Sequence, residues 1–334
     1  MRTLTLLCLA FTAMIWHGCT SNPVSPVGEN TVSAVSVGYT IVDTAVPASV
    51  SVRTAVWYPS VSAGSTHTYG TANGGNISGT VALNGKVRPG SWPIVVFSHG
   101  FSGGGVGQTA ICEAIAREGY IVAAPDHSDA VLCVRIGGTA TGSLNDALSY
   151  LETHPFNDGS TYSYRVREIR AVVDAMRGRT DLHVDPALLI LSGHSMGAWT
   201  VMSAMTNGMI PSAMLLFSMG ELNWLYAGQR YFNASVFTAM TFPTIYFYGS
   251  NELASAITAG RTNVYAAFCY YYSPSPSYGV EIAGGNHFVY NTVPVAGASG
   301  GTTGQFALIN ASATAFLTRH IRGSTVIVPA KVSK

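Results

Sequence analysis

The stretch Gly193-His194-Ser195-Met196-Gly197 constrains this chain more than any other. Leu188-Leu189-Ile190-Leu191-Ser192 before it reads as a buried strand, and residues 198–205 after it read as a helix. A G-x-S-x-G between a strand and a helix predicts a sharp turn that lifts the serine out of a sheet on a strained backbone. Gly193 and Gly197 carry no Cβ, so strand and helix can pass close to each other there. Ser195 is therefore a candidate nucleophile. Glycine and serine are abundant in this chain, so the flanking strand and helix carry the reading more than the five letters do.

The rest of the chain supplies similar units. Pro93-Ile94-Val95-Val96-Phe97-Ser98 is a continuous apolar run, as expected of a strand covered on both faces. His99-Gly100-Phe101-Ser102-Gly103-Gly104-Gly105 follows it, and then Ile111, Ala114 and Ile115 line a helix that stops at Gly119. Residues 120–124 give the next strand, closed by Pro125. Val166, Ile169, Val172, Val173 and Met176 recur at helical spacing and predict a helix over 163–178. Further strands are expected at 213–217, 243–248 and 278–282. Ile309, Ala313, Phe316, Leu317 and Ile321 predict a closing helix. Alternating strands and helices imply an α/β fold with a mostly parallel sheet.

Other stretches read less clearly. Residues 33–58 predict two antiparallel edge strands around a break at Pro47. Residues 59–92 are rich in Gly, Ser, Thr and Asn and read as irregular loop, and 127–162 form an excursion of mixed character. Residues 220–241 read as aromatic and irregular, 264–272 fit no single element, and residues 324–334 read as an unattached tail.

The chain has 334 residues, of which 48% are hydrophobic and only 10% charged, with a formal charge of +1. One large core is feasible, and nothing favours nucleic acid or an anionic surface as partner. Arg2 followed by an apolar run over 4–16 fits a signal peptide over 1–19 and is too short for a stable membrane anchor. It ends at Trp16-His17-Gly18-Cys19, which resembles a bacterial lipoprotein processing site, although Trp16 and His17 depart from the usual residues there. Export is the expectation, with Cys19 as the lipidated residue if processing follows that route. Residues 20–32 read as a tether and 33–323 as the folded domain. Cys112, Cys133 and Cys269 lie within the domain. Either one disulfide, with Cys112–Cys133 closing the shortest loop, or buried thiols fit that odd number.

A serine hydroxyl needs a base, and the base needs an orienting acid. Two histidines follow Ser195, His287 and His320. His287 sits in Ala283-Gly284-Gly285-Asn286-His287-Phe288, a Gly-rich loop after the last strand, and is the candidate base. His320 reads as a solvated residue at a helix C-terminus. No aspartate lies between Ser195 and His287, and the carboxylates there are Glu221, Glu252 and Glu281. Glu281 falls inside a strand. Glu252 follows the 243–248 strand through a short loop and is the leading candidate acid, with Glu221 the other. Two N–H donors are needed for a developing oxyanion. Met196 N–H and Phe101 N–H are the candidates, the second from the loop after Ser98. His99 and His194 read as structural. His127 and Asp129 form too small a set for a metal site.

Together these residues resemble a known group. Residues 95–105, 123–127, 193–197 and 284–288 resemble the dienelactone-hydrolase-like branch of the α/β-hydrolases. Within it the pattern is similar to cutinase-like polyester hydrolases and to platelet-activating-factor acetylhydrolase-like esterases, over about residues 37–322. The resemblance implies an α/β-hydrolase fold and serine ester hydrolysis through an acyl-enzyme. It implies Ser195 as nucleophile, His287 as base, Phe101 and Met196 as oxyanion donors, and no cofactor. Dienelactone hydrolases themselves use cysteine, so the serine speaks against that exact activity. Glu252 stands where aspartate is usual, and Ala198 where polyester hydrolases tend to have glycine. Phe101, Trp224, Tyr226 and Phe288 are candidates for an apolar wall against a small-molecule, lipid or polymeric ester. A thioesterase or peptidase would use the same side chains, and a binding protein could keep the scaffold without chemistry. Oligomeric state is left open by the sequence.

Overall fold

A computed structural model describes residues 35–47, 49, 51–72, 75–138, 140–143, 145, 149, 162–219, 225–226, 229–230, 234–252, 265–295 and 299–334. Its centre is built from β5 (Trp92–Ser98), β6 (Ile121–Pro125), β7 (Val184–His194), β8 (Ala213–Phe217), β11 (Thr244–Gly249) and β12 (Ser277–Ile282). All five pairings among these six strands are parallel. Side chains alternate between the two faces of each strand. Ile94 and Val96 of β5 join one apolar cluster, and Val95 and Phe97 join the other. The same split separates Met214 and Leu216 from Leu215 and Phe217 in β8. Both faces are buried, which is why these strands read as unbroken apolar runs. Burying each such side chain contributes about 2 kcal/mol.

Helices cover both faces. Ile111 and Ile115 of α1 (Thr109–Arg117) share a cluster with Ile309 and Phe316 of α6 (Thr303–His320). Ile169 and Val173 of α2 (Ser163–Arg177) share the other with Val201 of α3 (Met196–Thr206) and Cys269 of α5 (Tyr265–Tyr272). Gly119, with φ +89°, ends the α1 unit as its sequence position implied. A short α4 (Ala234–Thr238) and a two-stranded ribbon of β9 (Leu225–Tyr226) and β10 (Gln229–Arg230) occupy part of the segment expected to be irregular.

Several expectations are corrected. β1 (Ser36–Thr44) and β2 (Val52–Ser60) are antiparallel as expected, but they do not form the sheet edge. β3 (Ser65–Ala72) and β4 (Gly75–Leu83) extend the sheet beyond them, where a loop was expected. The signal was sparse: Ile77 and Val81 at alternating positions are buried beneath a mostly Thr, Ser and Gly surface. The tail is not unattached. β13 (Val332–Ser333) pairs antiparallel with β12, and Ser312 Oγ donates to the Pro329 carbonyl at 2.7 Å. α6 begins before its apolar stripe, at a capping box in which Thr302 and Gln305 satisfy each other's backbone N–H groups. Cys112, Cys133 and Cys269 are all free thiols. The expected signal segment, with Cys8 and Cys19, and the tether lie outside the described residues.

Candidate active site

Ser195 sits between β7 and α3 with φ 55° and ψ −122°, a conformation that a non-glycine residue adopts only when its surroundings force it. The surroundings are tight on both sides. A Cβ at Gly193 would overlap the Gly197 backbone, and one at Gly197 would overlap the Ser98 carbonyl. The two glycines of the motif are therefore required by backbone packing. The Ser195 N–H donates to the Phe217 carbonyl at 2.9 Å, which fixes the turn to β8.

The structure brings Ser195, His287 and Glu252 together. His287 Nε2 lies 2.8 Å from Ser195 Oγ, and His287 Nδ1 lies 2.6 Å from Glu252 Oε1. Glu252 is an acceptor, so Nδ1 carries the proton and Nε2 accepts from the serine hydroxyl. The His287 side chain is 34% exposed and that of Glu252 only 7%. The imidazole thus opens to solvent while the carboxylate is sealed behind it. Burial alone would raise the Glu252 carboxyl. The hydrogen bond and charge of His287, with the Ser218 hydroxyl donating to Oε2 at 2.5 Å, outweigh burial and hold it below the usual value.

The two loops are also fastened to each other. Asn251 N–H donates to Gly285 O at 2.9 Å, Asn251 Nδ2 to Gly284 O at 3.0 Å, and Gly284 N–H to Ser250 Oγ at 2.8 Å. His194 Nε2–H donates to the His287 carbonyl at 2.7 Å. Burial and the neighbouring His287 push the His194 imidazole down to about 3, so it stays neutral and serves as a strut.

The loop after β5 crosses directly over the elbow. An ideal Cβ at Gly100 would stand 3.3 Å from Ser195 Cβ. Among the described residues neither the Phe101 N–H nor the Met196 N–H has a hydrogen-bond acceptor. Met196 also opens α3, whose N-terminal end favours negative charge. Two unpaired N–H groups beside a serine hydroxyl can receive an oxyanion.

The remaining candidates divide. The Phe288 ring packs edge-on against His287 at 5.2 Å, and Phe101 clusters with Tyr162, Tyr164 and Met196. Only the backbone of Tyr226 is described, and Trp224 and Glu221 lie outside the described residues. Glu281 pairs with Lys331 Nζ at 2.6 Å and takes no part in the site. His320 is half-buried against the Tyr278 hydroxyl rather than solvated. His127 pairs with Glu168, and Asp129 with Arg165; no group of three metal-ligating side chains occurs among the described residues. Sequence reasoning missed Ser218 and Tyr162. Ser218 directly follows β8, and the ends of neighbouring parallel strands share a rim, so position alone would have nominated it.

The family model of platelet-activating factor acetylhydrolase, isoform II, matches residues 67–174. That span holds the loop over the elbow and most of α2, but not Ser195, Glu252 or His287. Among solved structures the chain is similar to a ferulic acid esterase from Streptomyces cinnamoneus, with a TM-score of 0.66 and 16% identity over 90% of this chain and 95% of that one. No curated protein matches the chain. The α/β-hydrolase fold expected from the sequence is the fold observed, and the expected likeness to acetylhydrolase-like esterases has its counterpart in the matched family model.

Proposed function

From the α/β-hydrolase esterase group to which fold and matched segment point, we propose that this chain is an exported serine hydrolase of carboxylic esters. The observation that carries the reading is the His287 imidazole bridging Ser195 Oγ and Glu252 Oε1. In the reaction His287 Nε2 takes the hydroxyl proton as Ser195 Oγ attacks the ester carbonyl carbon. The Phe101 and Met196 N–H groups hold the negative oxygen of the tetrahedral intermediate. His287 returns the proton to the leaving alkoxide, which departs as the alcohol. Water then attacks the acyl-serine by the same route, releasing the acid and restoring the hydroxyl.

Ser195→Ala tests the reading. Turnover of p-nitrophenyl butyrate should vanish while the near-ultraviolet circular dichroism stays that of the wild type. Retained turnover would refute it. A thioesterase or peptidase shares this machinery, so the acyl group needs its own comparison. The half-buried Phe101 ring, backed edge-on by the buried Tyr162 ring with centroids 6.5 Å apart, offers an apolar surface on the oxyanion loop. That surface and the names of the two matches suggest a comparison of acetyl, feruloyl, long-chain triglyceride and polyester substrates. Preference for acetyl esters would favour the acetylhydrolase-like reading, and polyester release the cutinase-like one. Export rests on the apolar run at 4–16 and lipidation on Cys19. Fatty-acid labelling of the mature chain, lost in Cys19→Ala, is the expected result for a lipoprotein.

A further inference from the structure

The loop that crosses the elbow is tied down at one polar atom after another. The His99 carbonyl accepts from Arg165 Nη1 at 2.9 Å. The Gly100 carbonyl accepts from Arg165 Nη2 at 3.2 Å, from His99 Nδ1–H at 2.6 Å and from the Gly103 N–H at 3.1 Å. The Phe101 carbonyl accepts from Ser102 Oγ–H at 2.7 Å, and the Ser102 carbonyl from the Val131 and Leu132 N–H groups, each at 3.1 Å. The Ser102 N–H donates to Asp129 Oδ2 at 3.1 Å. Against this background the Phe101 N–H has no acceptor among the described residues.

Arg165 is the centre of the arrangement. It is 0% exposed, on α2, and its fork is held by Asp129 through Nε to Oδ1 at 2.8 Å and Nη2 to Oδ2 at 2.7 Å. Its Nη1 also reaches Thr200 Oγ1 at 3.4 Å, and Thr200 donates to the Met196 carbonyl at 2.9 Å. One guanidinium therefore touches the loop carrying Phe101 and the helix opened by Met196. The Gly100 carbonyl and the Phe101 N–H are the two ends of one peptide unit. A cation donating to that carbonyl in a buried, low-dielectric setting draws electron density toward the oxygen and strengthens the N–H as a donor. A planar five-donor fork can do this for two successive carbonyls while staying paired bidentately with Asp129, an arrangement that the single ammonium of a lysine does not reproduce.

We propose that Arg165, locked by Asp129, is a positioning residue that aims and polarises the Gly100–Phe101 peptide as an oxyanion donor. The proposal rests on the esterase reading of Ser195 above. If Arg165 and Asp129 were only a buried ion pair, replacing both with apolar residues would leave a folded chain with ordinary activity.

Three variants are compared, so that misfolding of one leaves the others to decide: Arg165→Lys, Asp129→Asn, and the double variant Arg165→Met/Asp129→Leu. Circular dichroism selects the folded ones. For each, three quantities are measured with short acyl esters: kcat/KM, the Ki of a matching trifluoromethyl ketone that forms an oxyanion on Ser195, and the Ki of the plain alcohol analogue that cannot. The expected result is a fall in kcat/KM of about 10-fold to 100-fold in the Arg165 variants, less than for outright loss of a donor. Ki for the trifluoromethyl ketone should rise in step, while Ki for the alcohol stays within twofold. Unchanged kcat/KM in a folded variant would overturn the proposal. So would equal weakening of the two inhibitors, which marks general loosening of the site. A wild-type chain without esterase activity, or an active Ser195→Ala chain, would instead overturn the underlying reading of the site.

Discussion

Ser195 and Ser98 each face a histidine that in turn faces a glutamate. Ser98 Oγ lies 2.8 Å from His127 Nε2, and His127 Nδ1 lies 2.7 Å from Glu168 Oε2, distances that match those around Ser195. Only one of these sets opens to solvent. Ser98, His127 and Glu168 are at most 2% exposed, so no substrate can reach them. Ser195 stands on a positive-φ turn at a helix N-terminus, beside two N–H groups that have no acceptor among the described residues and an imidazole open to solvent. Ser98→Ala should therefore leave fluorophosphonate labelling intact while costing about 1–3 kcal/mol of stability, the usual result of orphaning a buried imidazole. Urea unfolding and labelling of the same sample check both halves. The acid is tested at the same scale. Glu252→Gln should lower kcat by roughly 10³–10⁴-fold, because an amide can present an N–H to Nδ1 and favour the wrong tautomer. Ser218→Ala removes one donor to Glu252 and should cost a smaller factor, about tenfold. The reverse order of severity would mean that the acid has been misassigned.

At the level of elements, the central strands and the elbow were legible because burial on both faces demands apolar residues at every position. The β7 turn was legible because its close packing excludes side chains at 193 and 197. Gly197→Ala should accordingly abolish activity and lower the melting temperature, since its Cβ has no space beside the Ser98 carbonyl; an active, fully stable variant would contradict the packing argument. The β3–β4 hairpin escaped detection because few of its side chains are buried. Asn73-Gly74, a hairpin turn signal, was present between the two strands in the sequence. α5 is Tyr-Ala-Ala-Phe-Cys-Tyr-Tyr-Tyr, with no polar face to reveal a period. The final strand has two residues, too few for any pattern. Glu252 and His287 could be nominated because the chain has few carboxylates and histidines after Ser195. Arg165 could not, since its contacts with His99 and Gly100 join positions 66 and 65 residues apart.

At the scale of the whole molecule, three histidines that are buried and neutral among the described residues tie stability to pH. His99 and His127 are pushed well below the ordinary value by burial and by the nearby Arg165 charge, and His194 to about 3 by burial and His287. An unfolded histidine titrates near 6.5, at about 1.4 kcal/mol per pH unit. Below that pH the unfolded chain binds protons that the folded chain refuses, so their contribution to stability is full above about 6.5 and is lost as pH falls toward the folded values. Burial raises Glu113, Asp126 and Glu168, which act in the opposite sense. A difference measurement isolates one histidine. Replacing His194 with Gln should flatten the dependence of unfolding free energy on pH by close to one proton between about pH 6 and 4, as read from urea titrations. An unchanged slope would mean that His194 is already protonated in the fold.

If His287 activates the Ser195 hydroxyl, that oxygen reacts far faster than any other serine of the chain. Reacting the folded chain with a fluorophosphonate and locating the adduct by peptide mass spectrometry reads this out. A single stoichiometric adduct on Ser195 is expected, forming about a hundredfold more slowly in His287→Ala, with Ser98 unmodified in both. An unlabelled chain, an adduct on another residue, or a labelling rate indifferent to His287 would contradict it.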